Sequence, residues 1–377
     1  MTRLTFIGDI ACDRPLLHAA KHGRKYDYSR VFQTEDVFSG SDYVIGNMES
    51  CFGGAHYGKK PYHYSVPDSF CEAVRGAGVS IVGTANNHCL DEGMYGLKRT
   101  QSVLEKNGIL YTGTYDADYD GKRYLIVEKN GIRFGFYSLT YSVNSNYESN
   151  QPADIHKVVN LLGFKPRTYS RNPFVRYWET TVKPNQEKKR KKKQFGSTIA
   201  QYADKLTDKS INQDWLNEID EQIREARKES DILAILLHIG GQFNTEPGTF
   251  SEFMVGQLCD LGADIIAGHH PHTLQKITKR GDTLVAYSLG GFCLSPSGEY
   301  LIRESLPQYS AAWHIDIGDD KKIADSSVTI LKVVEEEDHY AHVVEAEKES
   351  ENIQLIRNRL NGEKPDSRPK KTENGAS

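Results

Sequence analysis

Short apolar runs recur along the chain and stop at turn-forming or polar residues. Leu4–Ile7, Asp42–Ile45, Val79–Gly83, Asp231–Leu237, Ile265–Ala267 and Leu284–Ser288 have the length and β-branched content of buried strands. Between them the apolar spacing widens to that of helices. Phe70–Gly76, residues 94–107 (Leu97, Val103 and Leu104 on one face), Ile211–Glu229 (Trp215, Ile219, Ile223) and Phe250–Leu261 are expected to be helical, with Gly108 stopping the second of these. Tyr124–Glu128 and Ile132–Ser138 flank Lys129-Asn130-Gly131, where Asn-Gly predicts a hairpin. The alternation of strands with helices points to an α/β fold.

The later segments complete that outline. Ala311–Ile317 and Ser326–Val334 fit an outer antiparallel pair. His339–Leu360 has helical character, and the charged end from Gly362 to Ser377 is expected to be disordered. Residues 29–38 fit neither period. Residues 53–68, rich in Gly, Tyr, His and Pro, read as a surface loop whose His56 and His63 are solvated or touch substrate. Residues 145–210 break the alternation and read as an insertion over or beside the active face, carrying the run Lys188–Lys193. The expected organisation is one domain over 1–335 with that insertion, then a C-terminal helix and tail over 336–377.

Where the strands end, ligand-type residues follow. Asp9 comes after the first strand, Asn47 and Glu49 after the second, and Asn87 and His88, with Asp91 close behind, after the third. His238 ends the most apolar strand, and Gly268-His269-His270-Pro271-His272 follows Ile265–Ala267. Open α/β sheets place their ligands at these carboxyl ends. Each residue also has a plain reading: Asp9 can cap the next helix, and the histidines can be satisfied loop residues. Repetition at five strand ends favours a metal site. In extended backbone His270 and His272 point the same way, as do Asn47 and Glu49. Carboxylates, an amide and imidazoles suit Mn, Fe or Zn better than Mg or Ca. The donors outnumber one tetrahedral shell, which favours two divalent ions sharing a carboxylate. Cys51 and Cys89 are weaker, thiolate candidates.

Composition changes this picture little. The 377 residues are 38% hydrophobic and 26% charged, with a formal net charge of -4, so neither nucleic acid nor a membrane surface is the expected main partner. Nothing approaches the ~18 apolar residues of a transmembrane helix. The opening residues run straight into a strand, which predicts a cytoplasmic protein, or a membrane-associated or exported one if a leader or anchor precedes it. Six scattered cysteines without a Cys-x-x-Cys pair predict reduced thiols. The lysine run resembles a nuclear signal or an anionic-polymer contact, with a solvated charge cluster as the plainer reading.

Gly8-Asp9, Gly46-Asn47-Met48-Glu49-Ser50, Ala85-Asn86-Asn87-His88 with Asp91 and Gly93, His238-x-Gly240, Gly268–His272 and Tyr287-Ser288-Leu289-Gly290 stand in one particular order. In that order they resemble the CapA family of poly-γ-glutamate and capsule-synthesis proteins, a branch of the calcineurin-like metallophosphoesterases. The resemblance spans residues 3–293 apart from 145–210. It implies a four-layer αββα sandwich of two mixed β-sheets. It also implies that Asp9 and His270 or His272 hold one metal, that Glu49 touches both, and that Asn87, His238 and the remaining histidine hold the second. His88 would be the general acid, oriented by Asp91, and His270 and His272 already satisfy the His-x-His spacing without His269. Two departures stand out: the family's His-Trp-Gly-x-Glu-Tyr is His238-Ile-Gly-Gly-Gln242-Phe243 here, and Gly291 replaces an Asn. The expected activity is metal-assisted phosphoester hydrolysis, with a phosphoester or anionic polymer as substrate and capsule-synthesis machinery as partner. The rival readings are a polyanion-binding scaffold and a γ-glutamyl amide-bond enzyme.

Overall fold

The computed structural model describes residues 1–55, 57, 63–144, 154–163, 172–182, 204–207, 210–298 and 302–363. His56, the Lys188–Lys193 run, most of the 145–210 stretch and the tail from residue 364 lie outside the described residues. In chain order the strands are β1 (Thr2–Ile10), β2 (Lys21–His22), β3 (Lys25–Tyr26), β4 (Tyr43–Met48) and β5 (Val79–Gly83). They continue as β6 (Leu110–Thr112), β7 (Leu125–Lys129), β8 (Ile132–Thr140), β9 (Ile232–His238) and β10 (Ile265–His269). The last five are β11 (Ile277–Arg280), β12 (Thr283–Ala286), β13 (Tyr309–Ile317), β14 (Ile323–Glu335) and β15 (Ala341–Glu345).

Two mixed sheets dominate, ordered β15-β14-β13-β1-β4-β5-β6 and β11-β12-β10-β9-β8-β7. β1, β4, β5 and β6 run parallel, and so do β12, β10, β9 and β8; antiparallel strands extend the edges. The inner faces meet in one apolar layer, with Leu4, Phe6, Ile45, Ile81 and Trp313 on one side and Phe134, Phe136, Leu236 and Ala267 on the other. Helices Arg14–Ala19, Asp68–Gly76 and Gly93–Lys106 cover the outer face of the first sheet. Gln213–Glu229 and Thr249–Asp260 cover that of the second. The result is the expected four-layer αββα sandwich. β9 is buried throughout, as a central parallel strand covered on both faces must be, which explains its unbroken apolar run.

Local expectations hold where side-chain period and turn chemistry agree. Asn130 and Gly131 both have positive φ (53° and 75°), as a tight hairpin between twisted strands requires. Asn212 caps Gln213–Glu229 by accepting from the Asp214 and Trp215 amides. The helical expectation for His339–Leu360 needs correction: Ala341–Glu345 pairs with β14, and the helix starts only at Glu351, capped by Ser350. Val343 and Val344 are β-branched, and alternating burial there follows a period of two. Residues 154–163, inside the stretch read as an insertion, are packed: Ile155, Val158, Val159 and Leu161 form a core with Ala85, Leu90, Leu97 and Val143.

Two glycines let the strand ends close up. A Cβ on Gly8 would lie 2.0 Å from the Gly290 carbonyl oxygen, and one on Gly268 would lie 2.0 Å from that of Tyr287. Only glycine permits this backbone approach. It brings the ends of β1 and β10 up against the chain that follows β12, and the Asp9 amide donates to Gly290 at 2.9 Å.

Candidate metal centre

Asp9, Asn47, Glu49, Asn87, His88, Asp91, His238, His270 and His272 are all buried, and polar contacts, those of His88 running through Asn144, link them into one cluster where β1, β4, β5, β9 and β10 end. Asn47 Nδ2 donates to Asp9 Oδ1 at 2.7 Å and lies 3.1 Å from His238 Nδ1. Asp9 Oδ2 accepts from the His270 amide at 2.9 Å and sits 3.1 Å from His272 Nδ1. Glu49 faces two imidazoles, with Oε1 3.6 Å from His238 Nε2 and Oε2 3.6 Å from His272 Nε2. Asn87 Oδ1 is 2.7 Å from His238 Nε2.

The histidine turn departs from expectation in how it is built. His270 and His272 do face the same centre, with rings 6.0 Å apart, but the backbone is not extended. Both residues have positive φ, 94° and 53°. Left-handed conformations are costly for residues with a Cβ and cluster at functional sites.

Whether these residues fit a metal can be tested on their unmet valences. Both carboxylate oxygens of Glu49, Nδ1 of His270 and Nε2 of His272 are buried without a hydrogen-bond partner, while Nδ1 of His272 faces Asp9 Oδ2 at 3.1 Å. Buried polar atoms are nearly always paired, so this concentration calls for a missing partner. Ligand atoms of Glu49, His270 and His272 all lie within 4.8 Å of one another. Electrostatics agree. Burial, followed by the charge of Asp9, pushes the Glu49 carboxyl well above its usual range. Burial also works to raise Asp9, but His238 and His272 overcome it and hold that carboxyl low. Burial lowers His238 to about 4 and His270 well below its usual value. Neutral imidazoles beside crowded acids are what a divalent cation needs and relieves. The residues fit a metal.

The remaining predicted residues sort clearly. His88 Nδ1 is 2.7 Å from Asp91 Oδ2, the pairing expected of an oriented acid. His269 directs Nε2–H at the Ile7 carbonyl at 3.1 Å, while its Nδ1 is buried without a hydrogen-bond partner. Cys51 and Cys89 stand outside the Glu49–His270–His272 group, and burial raises both thiols, Cys89 to about 12, so neither is a ready thiolate. His63 is not solvated: it is buried, with Nε2 against the Asp91 carbonyl and Nδ1 3.4 Å from Glu92. The Cys51–Ser65 bridge folds its segment back over the third strand end.

Sequence reasoning missed the sixth strand end. After β8, Tyr141 places its hydroxyl 3.3 Å from His270 Nε2, and Asn144 Nδ2 lies 3.2 Å from His88 Nδ1. The Tyr64 ring lies against His88, tilted by 35° with ring centroids 4.2 Å apart. The available signal was position, since Tyr141–Asn144 follow an apolar strand as the other candidates do.

A family model described as bacterial capsule synthesis protein PGA_cap matches residues 3–295. The chain belongs to that family. Among curated relatives of the PGA_cap chain, the capsule biosynthesis protein CapA of Bacillus anthracis is 26% identical over 313 residues, 81% of this chain and 63% of its own length. The PGA biosynthesis protein CapA of Bacillus subtilis is 22% identical over 316 residues, covering 81% and 66% respectively. The chain thus spans a little under two thirds of the length of these relatives. The 5′-nucleotidase precursor of Thermus thermophilus superposes with a TM-score of 0.35 at 11% identity, over 87% of this chain and 54% of that one. No helix among the described residues is long and apolar enough to cross a membrane.

Proposed function

We propose that this PGA_cap member is a metal-dependent phosphoester hydrolase working in capsule-polymer synthesis, with poly-γ-glutamate as the polymer. The observation that carries the reading is the set of unpartnered buried donors on Glu49, His270 and His272, next to a His88–Asp91 pair. Two ions, Mn, Fe or Zn, fit the donor count. Asp9 and one histidine of the turn would hold the first, Asn87, His238 and the other histidine the second, and Glu49 would reach both. When bound, such ions supply Lewis acidity to a phosphoryl oxygen and an acidified water with a pKa near ~7.

The protein's own groups do the rest. Asp91 accepts the Nδ1 proton of His88 and so fixes the ring's orientation. Nε2 of the imidazolium is then the atom that delivers a proton to the leaving oxygen. Tyr64 holds the ring from one face, and the Asn144 amide approaches its edge. Near-complete burial of Asp9 and Glu49 keeps bulk water from screening the charges that act on substrate.

The test is a panel of aryl and alkyl phosphoesters and γ-linked glutamyl peptides, run with added Mn(II) and after chelation. Metal-dependent turnover of phosphoesters supports the proposal, and turnover of the peptides alone replaces it with an amide-bond enzyme. One observation favours the scaffold reading: Gly291, paired with Asp9, adds no polar side chain, and Leu294 Cδ1 lies 2.8 Å from where a Cβ would stand. Polymer binding with no turnover of either substrate class would establish that alternative.

A further inference from the structure

The C-terminal helix Glu351–Leu360 lies outside the 3–295 stretch that matches the family. Its Ile353, Ile356 and Leu360 close one end of the core between the sheets. Arg359, next to that apolar face, turns the other way, toward the segment that follows the metal-site histidines. One nitrogen, Nη1, donates to the Ser305 carbonyl at 2.8 Å and to Thr273 Oγ1 at 3.1 Å, and reaches the Leu274 carbonyl at 3.5 Å.

Those acceptors lead directly to the site. Thr273 follows His272 in the chain, and its hydroxyl donates to the Ser305 carbonyl at 2.6 Å. Ser305 Oγ donates to the Phe243 carbonyl at 2.7 Å, and the Phe243 amide donates to the Pro271 carbonyl at 2.7 Å. The Phe243 ring centroid lies 6.1 Å from that of His272. Arg359 thus ties the residues that follow His272 to the 303–305 turn, and Ser305 ties that turn in its own right to Phe243 in the segment after His238. Each includes or adjoins residues at positive φ, with His270 at 94°, His272 at 53°, Phe243 at 60° and Leu306 at 58°. Such conformations persist only where the surroundings over-determine them. A guanidinium suits the task, since its planar fork of donors is rigid and its charge survives partial burial. Burial lowers Arg359 only to about 10, leaving it charged at neutral pH.

We infer that Arg359 is a positioning residue that holds the left-handed His270–His272 turn in its ligand-presenting shape, making the C-terminal helix part of the metal centre. The inference rests on the proposed metal reading, and its test separates the two. Co(II) is titrated into the full chain and followed by visible absorption. In parallel, amide hydrogen exchange over residues 270–274 is measured after chelation. Arg359→Met is expected to weaken Co(II) affinity about tenfold, in the range seen when outer-shell partners of a ligand are removed. It should also alter the Co(II) spectrum and speed exchange in that segment, with Arg359→Lys recovering part of each. Leu360→Ala, on the same helix, is expected to lower the melting temperature while leaving affinity and spectrum at wild-type values. Wild-type affinity, spectrum and exchange in Arg359→Met would overturn the inference, as would an equal loss of affinity in Leu360→Ala. If the wild-type chain binds no Co(II), the metal reading fails. Exchange then decides alone, faster exchange in Arg359→Met supporting the clamp and unchanged exchange overturning it.

Discussion

Phe6 and Asp9 lie on the same strand and are equally buried, yet they belong to different kinds of interior. Around Phe6 the two sheets meet through apolar side chains, with Trp313 5.9 Å away ring to ring and its indole N–H satisfied by Ser326 at 2.8 Å. Around Asp9, three residues further along the strand, the interior is crowded with imidazoles, carboxylates and amides, several with no protein partner. The first region is built to be stable, and the second keeps unmet valences and left-handed backbone. Stability and function thus occupy two ends of the same strands, and substitutions should separate them.

The largest contrast comes from Glu49→Gln. It should abolish tight Mn(II) binding in calorimetry, yet leave chelated protein as stable as wild type or more so, because a buried unpaired carboxyl is removed. Next, His88→Ala should keep its metal and lose roughly 10²–10⁴ in turnover on an aryl phosphate. On the other side of the comparison, Trp313→Ala should cost about 3–5 kcal/mol of unfolding free energy in a denaturant titration. Its metal affinity should stay near wild type wherever the protein remains folded.

A subtler effect concerns Asp13, just beyond the site, which burial pushes up to about 7 although Leu16 and Ser295 donate to it. A carboxyl whose folded pKa is raised binds its proton more tightly in the native state. Its contribution is fully present below pH ~4, the unfolded value, and is lost as pH rises through 7. Stability should therefore fall over that window, and Asp13→Asn should flatten the fall in chemical denaturation run at several pH values. The smallest expected change is in Asn144→Ala, where losing the contact along the edge of the His88 ring should lower turnover by about tenfold or less.

Much of the fold was legible because period, turn chemistry and burial agreed. β9 could be read from its apolar run and the β7–β8 hairpin from Asn130-Gly131. The site was legible as donors at strand ends, since nothing in core packing needs Asp9, Glu49, His238 and His272 there. Other features were not accessible to that reasoning. β15 is an edge strand whose polar residues mimic a helix, and short β6 and β11 gain their identity from neighbours distant in sequence. Tyr64 and Tyr141 are not typical ligands and Asn144 lies four residues past the end of β8; all three become site residues through contact with His88 and His270. The shape of the His270–His272 turn was hidden because it depends on Phe243, Ser305 and Arg359, all remote along the chain.

The proposed metal centre requires distant strand ends to converge and grip divalent cations. The most direct test is a crystal grown with Mn(II) and an anomalous difference map recorded at the manganese absorption edge. The account predicts strong peaks enclosed by Glu49, His270 and His272, with Asp9, His238 and Asn87 completing the shells. A well-ordered site at saturating Mn(II) with no anomalous peak among those residues would contradict it.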